Sequence, residues 1–130
     1  MTAVVDASAL LDAILPSLRQ SAALAALEGH SLFAPAIIDL EVLSALGRLV
    51  RAEQISTDEA DRAVVALRDA PVRRIPIEPF IAEVWALRQS LRISDAFCVV
   101  AARELGASLV TSDGRLSRAP QPGVTVTLLR

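Results

Sequence analysis

Four carboxylates, Asp6, Glu41, Asp95 and Asp113, stand inside or at the ends of apolar runs, and the chain has no lysine to neutralise them. Asp6 ends Ala3-Val4-Val5, and Glu41 is embedded in Ile37-Ile38-Asp39-Leu40-Glu41-Val42-Leu43. Asp95 opens Ala96-Phe97-Cys98-Val99-Val100, and Asp113 follows Leu109-Val110-Thr111. A buried carboxylate must be paired, protonated or bound to a cation. A fold that brings four of them together needs a hard cation between them, which is the oxygen-ligand chemistry of Mg²⁺ or Mn²⁺.

The apolar patterning predicts strands alternating with helices along the whole length. Short strands are expected at Ala3 to Val5, Ser31 to Ala34, Val72 to Ile77, Ser108 to Thr111 and Val124 to Leu129. Ser8 is placed to cap a helix over Ala9 to Leu15 that Pro16 stops, and a second helix is expected over Ser17 to Leu27 before Gly29. Pro35 is placed to open a long helix reaching Arg51. Ser56 and Glu59 have capping-box spacing ahead of a helix ending near Asp69. An amphipathic helix is expected over Glu78 to Ser90, and Ser94 is placed to cap a helix over Asp95 to Leu105 that Gly106 ends. Such alternation predicts an α/β fold, a mostly parallel central sheet with helices on both faces. No repeat or linker interrupts it, so residues 1–130 read as a single domain. Ligands of such sheets sit outside the carboxyl ends of the strands, where Asp6 and Asp113 both fall.

A chain of 130 residues that is 53% hydrophobic is long enough to bury a real core. Its single cysteine, Cys98, excludes an internal disulfide and any cysteine-rich zinc site. The first residues lack a basic signal-peptide region, and no apolar run approaches ~20 residues, so a cytoplasmic protein without a membrane span is expected. The net charge of −2 argues against a generic polyanion-binding tail, yet two divalent cations on the acids would bring it to about +2.

Taken singly, each acid has a structural role open to it. Asp6 can cap a helix, Asp95 suits a helix first turn, and Asp113-Gly114 is an ordinary turn pair. The set is more telling than its members, because all four fall at predicted element ends or in one α/β layer. Asp12 borders this region and is left outside the set. Thr111 and Ser112 carry hydroxyls able to orient the acids, and Arg115, just past Asp113, is a candidate groove contact, with a capping or surface role as the alternative. His30, the only histidine, reads as a loop residue, Cys98 as core and Trp85 as core or interface. The aliphatic residues on more than one side of the helices over 17–27 and 35–51 suggest partner surfaces.

Four segments, in order, resemble the PIN-domain ribonucleases, and among them the VapC-type toxins of toxin–antitoxin pairs. They are Val4-Val5-Asp6-Ala7-Ser8-Ala9-Leu10, the stretch from Ala34-Pro35 through Glu41 to Leu46, Ile93-Ser94-Asp95-Ala96-Phe97-Cys98-Val99-Val100, and Leu109-Val110-Thr111-Ser112-Asp113-Gly114-Arg115-Leu116. The resemblance implies a three-layer α/β/α fold and an acidic quartet of Asp6, Glu41, Asp95 and Asp113 holding one or two Mg²⁺ or Mn²⁺ ions, with Thr111 organising the site. It also implies hydrolysis of RNA, often transfer or ribosomal RNA, by metal-activated water, a homodimeric state, and silencing by a cognate antitoxin. Phe97-Cys98 departs from the commoner pattern, in which an aromatic, often tyrosine, follows the third acid. An RNA-processing nuclease without a toxin role and an inactive binding module with the same fold are the alternatives. A haloacid-dehalogenase-like phosphatase is disfavoured by Ser8 where a second aspartate is needed and by the missing lysine, and a Rossmann domain by the absence of a Gly-rich turn after Val5.

Overall fold

The structure is a computed structural model that describes residues 1–119 and 123–129. Its elements run β1 (Thr2–Val5), α1 (Ala7–Ile14), α2 (Gln20–Leu27), β2 (Ser31–Pro35), α3 (Ile38–Arg51), α4 (Thr57–Asp69) and β3 (Val72–Ile75). A 3₁₀ turn at Glu78–Phe80 leads to α5 (Ile81–Ala86), α6 (Ile93–Leu105), β4 (Ser108–Thr111), α7 (Gly114–Arg118) and β5 (Val126–Leu128).

The five strands form one parallel sheet in the order β3-β2-β1-β4-β5. Its centre is covered on both sides, so β1 is a continuous apolar run in which Ala3, Val4 and Val5 are fully buried. The period of two assigns them to opposite layers. Ala3 and Val5 pack with Leu10 of α1, Leu27 of α2, Val42 of α3 and Leu67 of α4. Val4 packs with Val99 and Ala102 of α6 and Leu116 of α7. The expected α/β/α layering is therefore present, with α1–α4 on one face and α5–α7 on the other.

From β1 the chain builds outward through β2 to β3, then crosses back to place β4 on the other side of β1. The direction of winding reverses between β1 and β4, and a crevice opens at the carboxyl ends of those two strands. Asp6 directly follows β1, and Asp113 lies two residues beyond β4.

Several expected boundaries move for identifiable reasons. Asp6, not Ser8, caps α1, accepting from the Ala9 amide at 2.9 Å, so the helix begins two residues early. α2 begins at Gln20 rather than Ser17. Pro35 stays in β2, and α3 opens at Ile38. β3 stops at Ile75, before Pro76, which has no amide for the ladder. The helix expected over Glu78 to Ser90 is reduced to the 3₁₀ turn and the short α5. Beyond Ala86 the amides of Leu87, Arg88 and Ser90 bond back three residues, a tighter winding than an α-helix. Ser94 lies inside α6, which opens at Ile93. β5 is shorter than expected. The capping box is present as read: Ser56 Oγ accepts from the Glu59 amide and Glu59 accepts from the Ser56 amide. Gly106 ends α6 in the left-handed conformation that favours glycine. Among the described residues no helix is long and apolar enough to cross a membrane.

Candidate acidic active site

Asp6 is built into the floor of the crevice and is 6% exposed. One carboxylate oxygen accepts from Ser8 Oγ at 2.7 Å and from the Ala9 amide at 2.9 Å. The other accepts from the Thr111 hydroxyl. Thr111 is fully buried at the end of β4 and also accepts from the Asp113 amide at 2.9 Å. One hydroxyl thus fixes the first acid and the backbone that carries the last. Ser8 makes a second such bridge, accepting from the Ser112 amide at 2.9 Å. Ser112 Oγ in turn donates to Asp12 at 2.6 Å, so Asp12 braces the β4–α7 turn from outside the quartet.

Asp6, Glu41, Asp95 and Asp113 all line one pocket of about 290 Å³, together with Ser8, Ser94, Cys98, Arg48 and Arg92. Glu41 comes from the first turn of α3 and Asp95 from the first turn of α6. The topology therefore gathers acids scattered over most of the chain. As posed, they stand apart: among the described residues no three His, Cys, Asp or Glu side chains are close enough to hold one ion. Like charges in a shared hollow repel, and the nearest cation holds part of the set to one side. Arg115 donates to Asp113 at 2.8 Å and lies 3.9 Å from Asp95.

Protonation follows the same geometry. Burial pushes the Asp6 carboxyl above its usual range, against the hydrogen bonds from Thr111, Ala9 and Ser8, and the Asp95 charge adds to the rise. Burial also raises Glu41, opposed by its hydrogen bond to Ser94 and reinforced by Asp6 and Asp95. Asp95 is raised by burial and by Asp113, opposed by Arg115 and Arg92. Asp113 is the exception: its slight burial is outweighed by the hydrogen bonds and charge of Arg115, and it is held below the usual range. Cys98 is buried as expected but also walls the pocket; burial first, then the negative charges of Asp6, Glu41 and Asp95, push its thiol well up.

Every acid singled out in the sequence reaches the pocket, whereas Thr111 stands behind Asp6 and Arg115 sits at the edge. Sequence reasoning missed the roles of Ser8 and Ser94, both read there as helix caps, and of Arg48 and Arg92. The available signal was adjacency: Ser8 lies two residues past Asp6, and Ser94 directly precedes Asp95. Trp85, read as core or interface, is 59% exposed and lies outside the core.

Residues 3–122 match the family model described as the PIN domain. The chain belongs to the PIN domain family. Ribonuclease VapC3 of Mycobacterium tuberculosis is 44% identical over 117 residues, covering 89% of this chain and 85% of that protein. Among solved structures, VapC20 of Mycobacterium tuberculosis, described as a sarcin–ricin loop cleaving toxin, superposes with a TM-score of 0.70 at 19% identity, covering 95% of this chain and 98% of that one. VapBC2 of Rickettsia felis, bound to a DNA fragment from its promoter, superposes with a TM-score of 0.68 at 13% identity over 100% of both chains. At those identities the likeness shows a shared fold, the PIN-like α/β/α layering described above.

Proposed function

We propose that this PIN domain is a VapC-type endoribonuclease toxin that hydrolyses RNA phosphodiester bonds with a divalent metal, Mg²⁺ or Mn²⁺, and is inhibited by a cognate antitoxin. The observation that carries the reading is the convergence of Asp6, Glu41, Asp95 and Asp113 on one pocket at the β1–β4 reversal, in a chain 44% identical to a VapC ribonuclease.

The donor set suits such an ion. Its acids are all oxygen ligands, and three of them are driven towards protonation by burial and mutual repulsion, which a cation would relieve. Asp6, Asp95 and Asp113 are the proposed direct ligands, which an ion would have to draw closer together, with Arg115 released from Asp113. Glu41 either joins them or positions water through a hydrogen bond. Held by these residues, a divalent ion would supply an acidified water near neutral pH and an offset to charge on the leaving oxygen. The protein contributes position. Thr111 and Ser8 lock the Asp6 carboxylate and tie the Asp113 turn to it. Ser94 holds Glu41. Arg115 lies where it can turn from Asp113 to a substrate phosphate. Since water is the nucleophile, the RNA 2′-OH does not react, and products carry 5′-phosphate and 3′-hydroxyl ends.

Two partner surfaces accompany this reading. An apolar groove of about 790 Å³ between α1, α2 and the α4–β3 corner, lined by Leu10, Ile14, Leu24 and Leu27, fits an apolar segment of the antitoxin. The exposed Leu40 and Leu43 of α3 and Ile81 of α5 suit a second copy of the chain.

The test is cleavage of end-labelled total RNA with Mg²⁺ or Mn²⁺ against chelator, with Asp6→Asn in parallel. Metal-dependent fragments with 5′-phosphate ends, absent in the variant, are expected. Fragments ending in 2′,3′-cyclic phosphate would overturn the mechanism. No cleavage together with no metal binding by calorimetry would leave an inactive binding module.

A further inference from the structure

A second hollow of about 350 Å³ adjoins the acid pocket, formed by residues 88–92 between α5 and α6 together with Asp95, Arg115 and Leu116. The two hollows share Arg92 and Asp95, so they form one groove with a common wall. Their charges are opposite. Four carboxylates against Arg48 and Arg92 line the acid pocket, whereas Arg88, Arg92 and Arg115, the last bonded to Asp113 at the shared edge, face a single acid, Asp95, in its neighbour.

Three arginines elsewhere are paired with carboxylates: Arg74 with Asp39 at 2.9 Å, Arg68 with Asp69 at 2.9 Å, and Arg19 with Asp12 at 3.6 Å. Among the described residues, neither Arg88 nor Arg92 makes such an ion pair. Arg88 is nonetheless held in place, its guanidinium 4.8 Å from the centre of the Trp85 ring and Nη1 donating to the Trp85 carbonyl at 2.9 Å. A fixed guanidinium with unused donors is well suited to a phosphate.

We infer that this arginine-walled cleft is a binding subsite for the RNA phosphodiester backbone, holding the nucleotide next to the bond placed at the acid pocket. The inference rests on the ribonuclease reading and extends it. A polynucleotide crossing four carboxylates is repelled everywhere except where metal neutralises them. A positive wall beside the pocket supplies the attraction that the net charge of −2 does not. Guanidinium–phosphate contacts position a strand without reading its sequence. The cleft therefore grips any single-stranded RNA, and target choice lies elsewhere.

The experiment measures binding of a fluorescent single-stranded RNA of about 12 nucleotides and mixed sequence to the full chain, with Ca²⁺ present and RNA integrity checked on a gel. The parent is compared with Arg88→Gln/Arg92→Gln and with Arg62→Gln/Arg73→Gln, a control that removes the same charge from exposed positions outside the cleft. The cleft pair is expected to weaken binding about tenfold, and two lost phosphate contacts should make the slope of log affinity against log salt shallower by about 1.4. The control should leave both nearly unchanged. All three proteins should still bind metal by calorimetry, the cleft pair no more weakly than the parent, because removing Arg92 takes a positive charge from beside Asp95. Equal losses in the two variants, or none in the cleft pair, would overturn the subsite. So would a cleft pair that loses poly-glutamate binding while keeping RNA, which would assign the cleft to an acidic peptide. Should the double variant melt early, Arg92→Gln alone carries the test, with a slope change of about 0.7. A parent that neither binds nor cuts RNA would overturn the ribonuclease reading itself, an outcome distinct from a cutting parent with an unaffected variant.

Discussion

Asp6 accepts three hydrogen bonds and is still pushed towards its protonated form, because burial outweighs them. A carboxyl whose pKa is raised by folding contributes its full stability while protonated, and that contribution is lost as pH rises through the folded value. Asp6, Glu41 and Asp95 all work in this direction, and Asp113 works against them. Metal-free protein should therefore lose stability on going from mildly acidic to neutral pH, and Asp6→Asn should relieve part of that loss. The variant's amide can keep the bonds from Ser8 and Ala9 while Thr111 turns to accept. In chelator at neutral pH the variant should melt a few degrees above the parent, with the gap closing as pH falls into the carboxylate range; thermal melts at two pH values check it. A variant that melts well below the parent at neutral pH would show that the charge is structurally required. At this scale the sequence displayed the acids, because a carboxylate inside an apolar run stands out. It did not display Ser8 and Ser94 as their partners, because a serine ahead of a helix reads equally well as a cap and only the tertiary contact decides.

Elements were most legible where a local bond defines them. The Ser56–Glu59 capping box closes within four residues and needs no other part of the chain. Ser56→Ala should cost about 1 kcal/mol of stability, readable by denaturant unfolding, and should leave metal-dependent RNA cleavage unchanged, since α4 contributes nothing to the acid pocket. A fall in cleavage in a protein that remains folded would mean that α4 is coupled to the site. Elements decided by tertiary packing were less legible. The residues over 78–90 have helical apolar spacing, but only Val84 of α5 is buried, and the chain after Ala86 tightens into turns that deliver Arg88 and Arg92 to the cleft. Pro35 reads as a helix opener, yet its ladder with Ile75 keeps it in β2. Asp6 and Ser8 both have capping chemistry, and the choice fell to Asp6, whose other oxygen also meets Thr111 across the sheet.

Over the whole molecule, the winding reversal between β1 and β4 converts a one-dimensional order of acids into one pocket, and strand alternation in the sequence was enough to anticipate that edge. The surplus of aliphatic residues has a different origin. Leu40 is 68% exposed and Ile81 57% exposed, although the core is already filled by residues such as Ile38, Val42 and Leu109. Exposed aliphatic residues on this scale suit a surface that a second copy covers. Leu40 and Leu43, three residues apart, share one face of α3. A homodimer is accordingly expected by sedimentation velocity at micromolar concentration. Leu40→Glu/Ile81→Glu should shift it to monomer without lowering the melting temperature of the monomer itself, because neither side chain supports the core. A monomeric parent would instead leave these residues as ordinary exposed surface. A dimer unchanged by the two charges would place the second copy elsewhere, with the apolar groove between α1 and α2 the next surface to substitute.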